Sequence, residues 1–188
     1  MSNLLEQIPG LAEAIAKEQH VRDTSFLELP ESLCGFDVSP LTLRQILLLG
    51  STDSPFVVGG YPTMVSCGGF LCIVGNWKGF KRWRNLKSLG RQNPDKVIEA
   101  IKQFMAESFQ DAPGSSEVDG VSYYSFAASL IDCFAHEYGW KESDILDAPV
   151  KRLFQYIKAI SSRRGEKVLF NPSDKVRGDW MREVNRMN

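Results

Sequence analysis

Six cations and three aromatic rings share the stretch from Asn76 to Pro94. Lys78, Lys81, Arg82, Arg84, Lys87 and Arg91 alternate with Trp77, Phe80 and Trp83, and no carboxylate interrupts them. Cations neutralise phosphates and flat rings stack on bases, so this mixture can hold single-stranded nucleic acid. It also suits a protein partner, or an amphipathic helix or loop whose rings pack inward while its cations stay in water. The spacing leaves all three readings open. The isoelectric point near 6.1 is unlike that of most nucleic-acid binders, which counts against nucleic acid.

Other chemistry is sparse. No glycine-rich phosphate loop, nucleophile elbow or HExxH zinc motif is present. The two histidines, His20 and His136, leave few choices for a general base or a metal cage, and Trp140 stands where a second ligand after His136 would fall. His136 fits better near a helix C-terminus, where positive charge is favoured. Asp144 and Asp147 form a carboxylate pair, but their place beside a turn and a helix start points to capping. The four cysteines, at 34, 67, 72 and 133, match neither a CxxC pair nor a disulfide framework, and they sit among apolar residues as small hydrophobes do. The expectation is a non-enzymatic protein without cofactor or metal, at home in a reducing cytosol.

These residues are set in a chain of 188 with 43% hydrophobic and 24% charged residues, enough for a core without disulfides. The N-terminal stretch lacks the basic-then-apolar order of a signal peptide, and the apolar run at 64–75 is too short and mixed to span a bilayer. No membrane role is expected. The net charge of −1 conceals blocks of −5 over 1–40, +6 over 41–91, −8 over 92–150 and +6 over 151–188. Faces of opposite sign suit self-docking into a homo-oligomer or an assembly partner.

Helical periodicity dominates. The fold class expected is all-α: one compact domain over 1–160, with about seven or eight helices and no sheet, and a basic arm at 161–188. Leu4, Leu5, Ile8, Leu11 and Ile15 mark an N-terminal helix. Residues 23–38, with Pro30 and Gly35, read as an irregular crossing with a short extended piece at Phe26–Leu29. Ser39-Pro40 reads as a helix start and Gly50 as its end. From Met64 to Val74 a buried helix and a strand both fit. Asn93-Pro94-Asp95 opens a helix with Val97, Ile98, Ile101, Phe104, Met105 and Phe109 as its stripe, and 115–121 reads as an exposed loop. Phe126, Ala127, Leu130, Ile131, Phe134 and Tyr138 mark the clearest helix, stopped by Gly139. Asp147 is placed to cap a helix with the stripe Val150, Leu153, Phe154, Ile157 and Ile160. A short charged helix with Trp180 and Met181 closes the chain.

Two stretches, PLTLRQILLLGSTDSPFVVGGYPTMVSCGGFLCIV at 40–74 and YYSFAASLIDCFAHEYGWKESDILDAPVKRLFQYIKAI at 123–160, resemble a group of small phage and prophage tail-assembly proteins. The likeness rests on Asp53-Ser54-Pro55-Phe56, Gly59-Gly60, Pro62-Thr63 and Phe70-Leu71 in the first, and on Tyr138-Gly139-Trp140, Ile145-Leu146, Pro149, Leu153 and Gln155 in the second. It covers about two thirds of the chain. Cys72 stands where the group has an aromatic residue. The resemblance implies a tail-assembly chaperone in the host cytoplasm that binds a tape-measure or tube protein and keeps it soluble. The alternatives are a structural virion component of the neck, tail or baseplate, and a nucleic-acid-binding regulator using 76–91. A tape-measure protein is long and helical with exposed apolar stripes, for which a helical groove rimmed with charge is a reasonable receptor. The candidate partner-binding residues are Asp53, Pro55, Phe56 and Tyr61 in the 53–63 loop and Trp77, Lys81, Arg82, Trp83 and Arg84 in the basic stretch. Trp140 in the turn and Trp180 in the arm complete the set.

Overall fold

The computed structural model describes residues 31–109, 112 and 125–165. The expected N-terminal helix, the extended piece at Phe26–Leu29, the 115–121 loop and the C-terminal helix with Trp180 lie outside these residues.

The described chain opens with a hairpin where an irregular crossing was expected. Strand β1 (Glu31–Leu33) pairs antiparallel with β2 (Phe36–Val38), Glu31 opposite Val38 and Leu33 opposite Phe36. Its two-residue turn places Cys34 at φ 55° and Gly35 at φ 78°. Two positive φ values in succession define the turn that matches strand twist. Cys-Gly is not the usual Asn-Gly signal for it, so the sequence concealed the hairpin. Gln92 Nε2 donates to the Cys34 carbonyl at 3.0 Å, tying this turn to the helical body.

Eight helices follow among the described residues: α1 (Leu43–Ser51), α2 (Pro55–Val58), α3 (Met64–Val74), α4 (Gly79–Leu89), α5 (Pro94–Ser108), α6 (Phe126–Tyr138), α7 (Glu142–Asp147) and α8 (Val150–Arg163). With one two-stranded hairpin beside them, the class is all-α. The 64–74 segment is a helix, fixed at its start by a reciprocal Thr63–Ser66 cap. Helix α3 is the central pillar, packed on α1, α4 and α5. Its Cys67, Phe70, Leu71 and Val74 are buried, and Gly68 admits α4, since a Cβ there would lie 2.9 Å from Leu86 Cδ2.

Two expected helix starts move. Helix α1 begins at Leu43, where Thr42 and Gln45 form a capping box, and not at Ser39-Pro40. The preceding residues run extended because they pair with the α7–α8 link: Val150 N donates to Leu41 O at 2.9 Å and Leu43 N to Ala148 O at 3.4 Å. Nor does Asp147 cap α8, whose N-cap is Pro149. Its carboxylate closes on Arg44 of α1, with Nε–Oδ1 at 2.6 Å and the second guanidinium nitrogen 3.1 Å from Oδ2. A paired fork satisfies more acceptors than a lone amide would.

Gly50, expected to end α1, lies within it, since the helix runs on to Ser51 with Thr52 as its C-cap. Asn93 caps α5 with Pro94 in its first turn, and Ser125 caps α6. His136 sits exposed in the last turn of α6, and Gly139 ends the helix in the left-handed conformation at φ 65°. Gly139→Ala is therefore expected to cost about 1–2 kcal/mol, because a Cβ is strained in that conformation. A urea midpoint unchanged from wild type would contradict this role.

Candidate functional site

The basic stretch becomes a turn and a helix, and the two halves do different things. Trp77 is one of the candidate partner-binding residues. It is only 4% exposed, its ring edge-on to Phe36 with centroids 4.8 Å apart. Asn76, at φ 47°, reverses the chain so that the indole folds back over Gly75, and Trp77 N donates to Cys72 O at 3.0 Å. Trp77 is thus a core anchor for the start of α4 and not a contact residue.

Beyond that anchor, α4 buries one narrow face, formed by Asn85 and Leu89 with Leu86 beside them. Everything else points out. Phe80 is 74% and Trp83 58% exposed, and Lys81, Arg82, Arg84 and Lys87 are exposed beside them. The Phe80 and Trp83 rings lie 5.6 Å apart, and Lys87 Nζ sits 5.2 Å from the centre of the Trp83 ring. Among the described residues no carboxylate pairs with these cations. A helix of this kind would lower its free energy by covering the rings and offering acceptors to the cations.

The 53–63 loop is partly structured. Pro55 opens α2, Asp53 takes φ 51°, and Phe56 turns inward to meet Phe70 edge-on at 5.3 Å. Of the loop candidates, Phe56 and Pro55 are half-buried, whereas Asp53 is exposed and Tyr61 is 98% exposed. Val58 and Val65 stand out of the surface on either side of Tyr61 in the chain. Trp140 is half-buried, stacked on Phe134 at 5.5 Å and edge-on to Tyr156 at 5.4 Å, so its ring stabilises the α6–α8 packing. Glu137 and the Tyr138 hydroxyl hold Arg163, and Glu137 also pairs with Arg164, which closes the same cluster. The candidates therefore divide: the α4 cations, Trp83, Tyr61 and Asp53 are at the surface, and Trp77, Phe56 and Trp140 serve the core. Phe80 and Lys87 join the surface group through their spacing from Trp83, three residues before it and four after.

The depression lined by Glu31, Pro40, Leu41, Glu107, Ser108, Pro149 and Lys151 holds about 50 Å³, room for a few waters. No group of three or more His, Cys, Asp or Glu side chains among the described residues could hold a metal ion. All four cysteines are free, and burial raises each thiol above its ordinary value, which makes them poor nucleophiles. None of the described helices is long and apolar enough to cross a membrane. The Arg44 hydrogen bond holds the Asp147 carboxyl below the usual carboxylate range. Its contribution to stability is then complete above the ordinary Asp value and is lost as pH falls through the depressed one. An NMR titration is expected to show the Asp147 carboxyl protonating at lower pH in the wild-type protein than in the Arg44→Ala variant. Compared with known proteins, the chain matches no family model, no curated protein and no solved structure.

Proposed function

We propose that this chain is a binding protein of the tail-assembly chaperone kind, holding a phage tape-measure or tube protein in the host cytoplasm until assembly. The observation that carries a binding role is the outward aim of Phe80 and Trp83 among α4 cations that meet no carboxylate among the described residues. Large rings held in water cost free energy unless a partner covers them, so such a patch is characteristic of interaction surfaces. The phage assignment itself rests on the sequence resemblance at 40–74 and 123–160. A chaperone needs no reaction centre, only a stable scaffold with a receptive face.

Co-expression with proteins encoded beside this gene, followed by affinity capture, tests the reading. Recovery of a tail protein that is insoluble when made alone supports it. Capture of no tail protein, with nucleic acid co-purifying instead, would end the chaperone reading and turn attention to a regulator acting through 76–91.

A further inference from the structure

The residues that leave α4 outward are spaced for another helix. Phe80, Trp83, Arg84 and Lys87 stand at i, i+3, i+4 and i+7, the pattern by which one helix packs against a second. Over those seven positions an α-helix drifts by only about 20°, so Phe80 and Lys87 share one line along the surface. Opposite that line lie Asn85 and Leu89, the buried attachment to the protein. The exposed stripe thus has an aromatic first turn and a cationic second turn.

Along the helix, Trp83 is flanked by Phe80 one turn before it at 5.6 Å and by the Lys87 ammonium one turn after it at 5.2 Å. The two rings, 58% and 74% exposed, form one apolar ledge beside cations. The isoelectric point near 6.1, unlike that of most nucleic-acid binders, favours a protein as what covers that ledge. A ledge of this kind is covered by aliphatic side chains, and its cations, which meet no carboxylate among the described residues, call for carboxylates.

From this juxtaposition we infer that the α4 stripe is a docking site for an amphipathic helix of acidic character. Its apolar side chains lie over Phe80 and Trp83, and its carboxylates meet Arg84 and Lys87 about one turn further along. The inference rests on the binding-protein reading above and supplies the chemistry of the partner.

The probe is a fluorescent synthetic helical peptide with leucines at i, i+3 and i+7 and glutamates beside them. A lysine-for-glutamate peptide and single-stranded oligothymidylate serve as comparators. The intact protein is expected to bind the acidic peptide at least about tenfold tighter than the lysine peptide. The pair Phe80→Ser and Trp83→Ser, and separately Arg84→Glu with Lys87→Glu, are each expected to weaken binding about tenfold or more. These side chains are exposed, and unchanged circular dichroism would show the fold intact. Equal affinity for the two peptides, absence of binding, or preferential salt-sensitive binding of oligothymidylate would each overturn the docking inference. The two readings fail separately. If a tail protein is captured undiminished by the Phe80→Ser, Trp83→Ser variant, the docking site is wrong and the chaperone reading stands. If the acidic peptide binds at this stripe but no tail protein is captured, the docking site stands and the chaperone reading falls.

Discussion

Replacing Phe70 with alanine is expected to destabilise the fold by about 3–5 kcal/mol, the cost of deleting a fully buried ring and leaving a cavity. Phe70 is 1% exposed in the middle of α3. Its ring meets Phe56 at 5.3 Å and Phe104 at 6.2 Å, both edge-on, so one side chain joins the 53–63 loop, the central pillar and α5. Because α3 also carries α1 and α4, the cavity would open at the junction of the elements that present the candidate site. Against a total stability of about 5–15 kcal/mol for a domain, the loss leaves a marginal protein. Chemical denaturation followed by circular dichroism measures it. A loss below about 1 kcal/mol would mean that the neighbours collapse into the gap and that α3 is not the pillar described here.

Gly75→Ala is expected to have the second largest effect, and it bears on function directly. A Cβ at position 75 would lie 2.8 Å from the Leu71 carbonyl oxygen and from Trp77 Cδ1, and closer still to Trp77 Nε1. The carbonyl belongs to the α3 hydrogen-bond ladder and cannot yield cheaply, so the indole must move. Overpacking of this kind costs about 1–3 kcal/mol. Trp77 is the anchor from which α4 departs, so its displacement should alter the direction of Phe80 and Trp83. Red-shifted tryptophan emission, a lowered unfolding midpoint and weaker binding of the acidic peptide are the expected results. Wild-type emission and stability together would show that the turn has room for a methyl group.

The helices that were legible from the sequence carry their signals locally. Asn93 before Pro94 fixed the start of α5, and Gly139 fixed the end of α6. Caps and left-handed glycines act within one turn of themselves, so nothing distant has to be known to read them. The stripes of α5 and α8 were legible for the same reason, since one apolar face implies one buried face: Val97, Ile101 and Phe104 are buried in α5, and Val150, Leu153, Phe154 and Ile160 in α8.

Where two segments compete for the same group, the sequence was silent. Ser39-Pro40 is an adequate helix start in isolation, but Leu41 and Leu43 spend their backbone groups on the α7–α8 link, which moves the start to Thr42. Asp147 is an adequate cap, but Arg44 reaches it from 103 residues away in the chain and takes both of its carboxylate oxygens.

The candidate site shows the division most clearly. The sequence alone determined that this stretch is basic and aromatic, and that the chain around it is an all-α body with a real core, while leaving helix and loop both open for the stretch itself. Which rings face water was beyond it. Phe80, Trp83, Leu86 and Leu89 recur every third residue, and steps of three fall short of a full turn by about 60°, so the apolar line winds around the helix and defines no single inner face. Only the tertiary structure selects one. Gly68 receives Leu86, the core closes over Leu89, and Trp77 is drawn inward by Phe36. With its C-terminal half and its preceding turn held in this way, α4 has one rotation left to it, and that rotation turns Phe80 and Trp83 to the solvent.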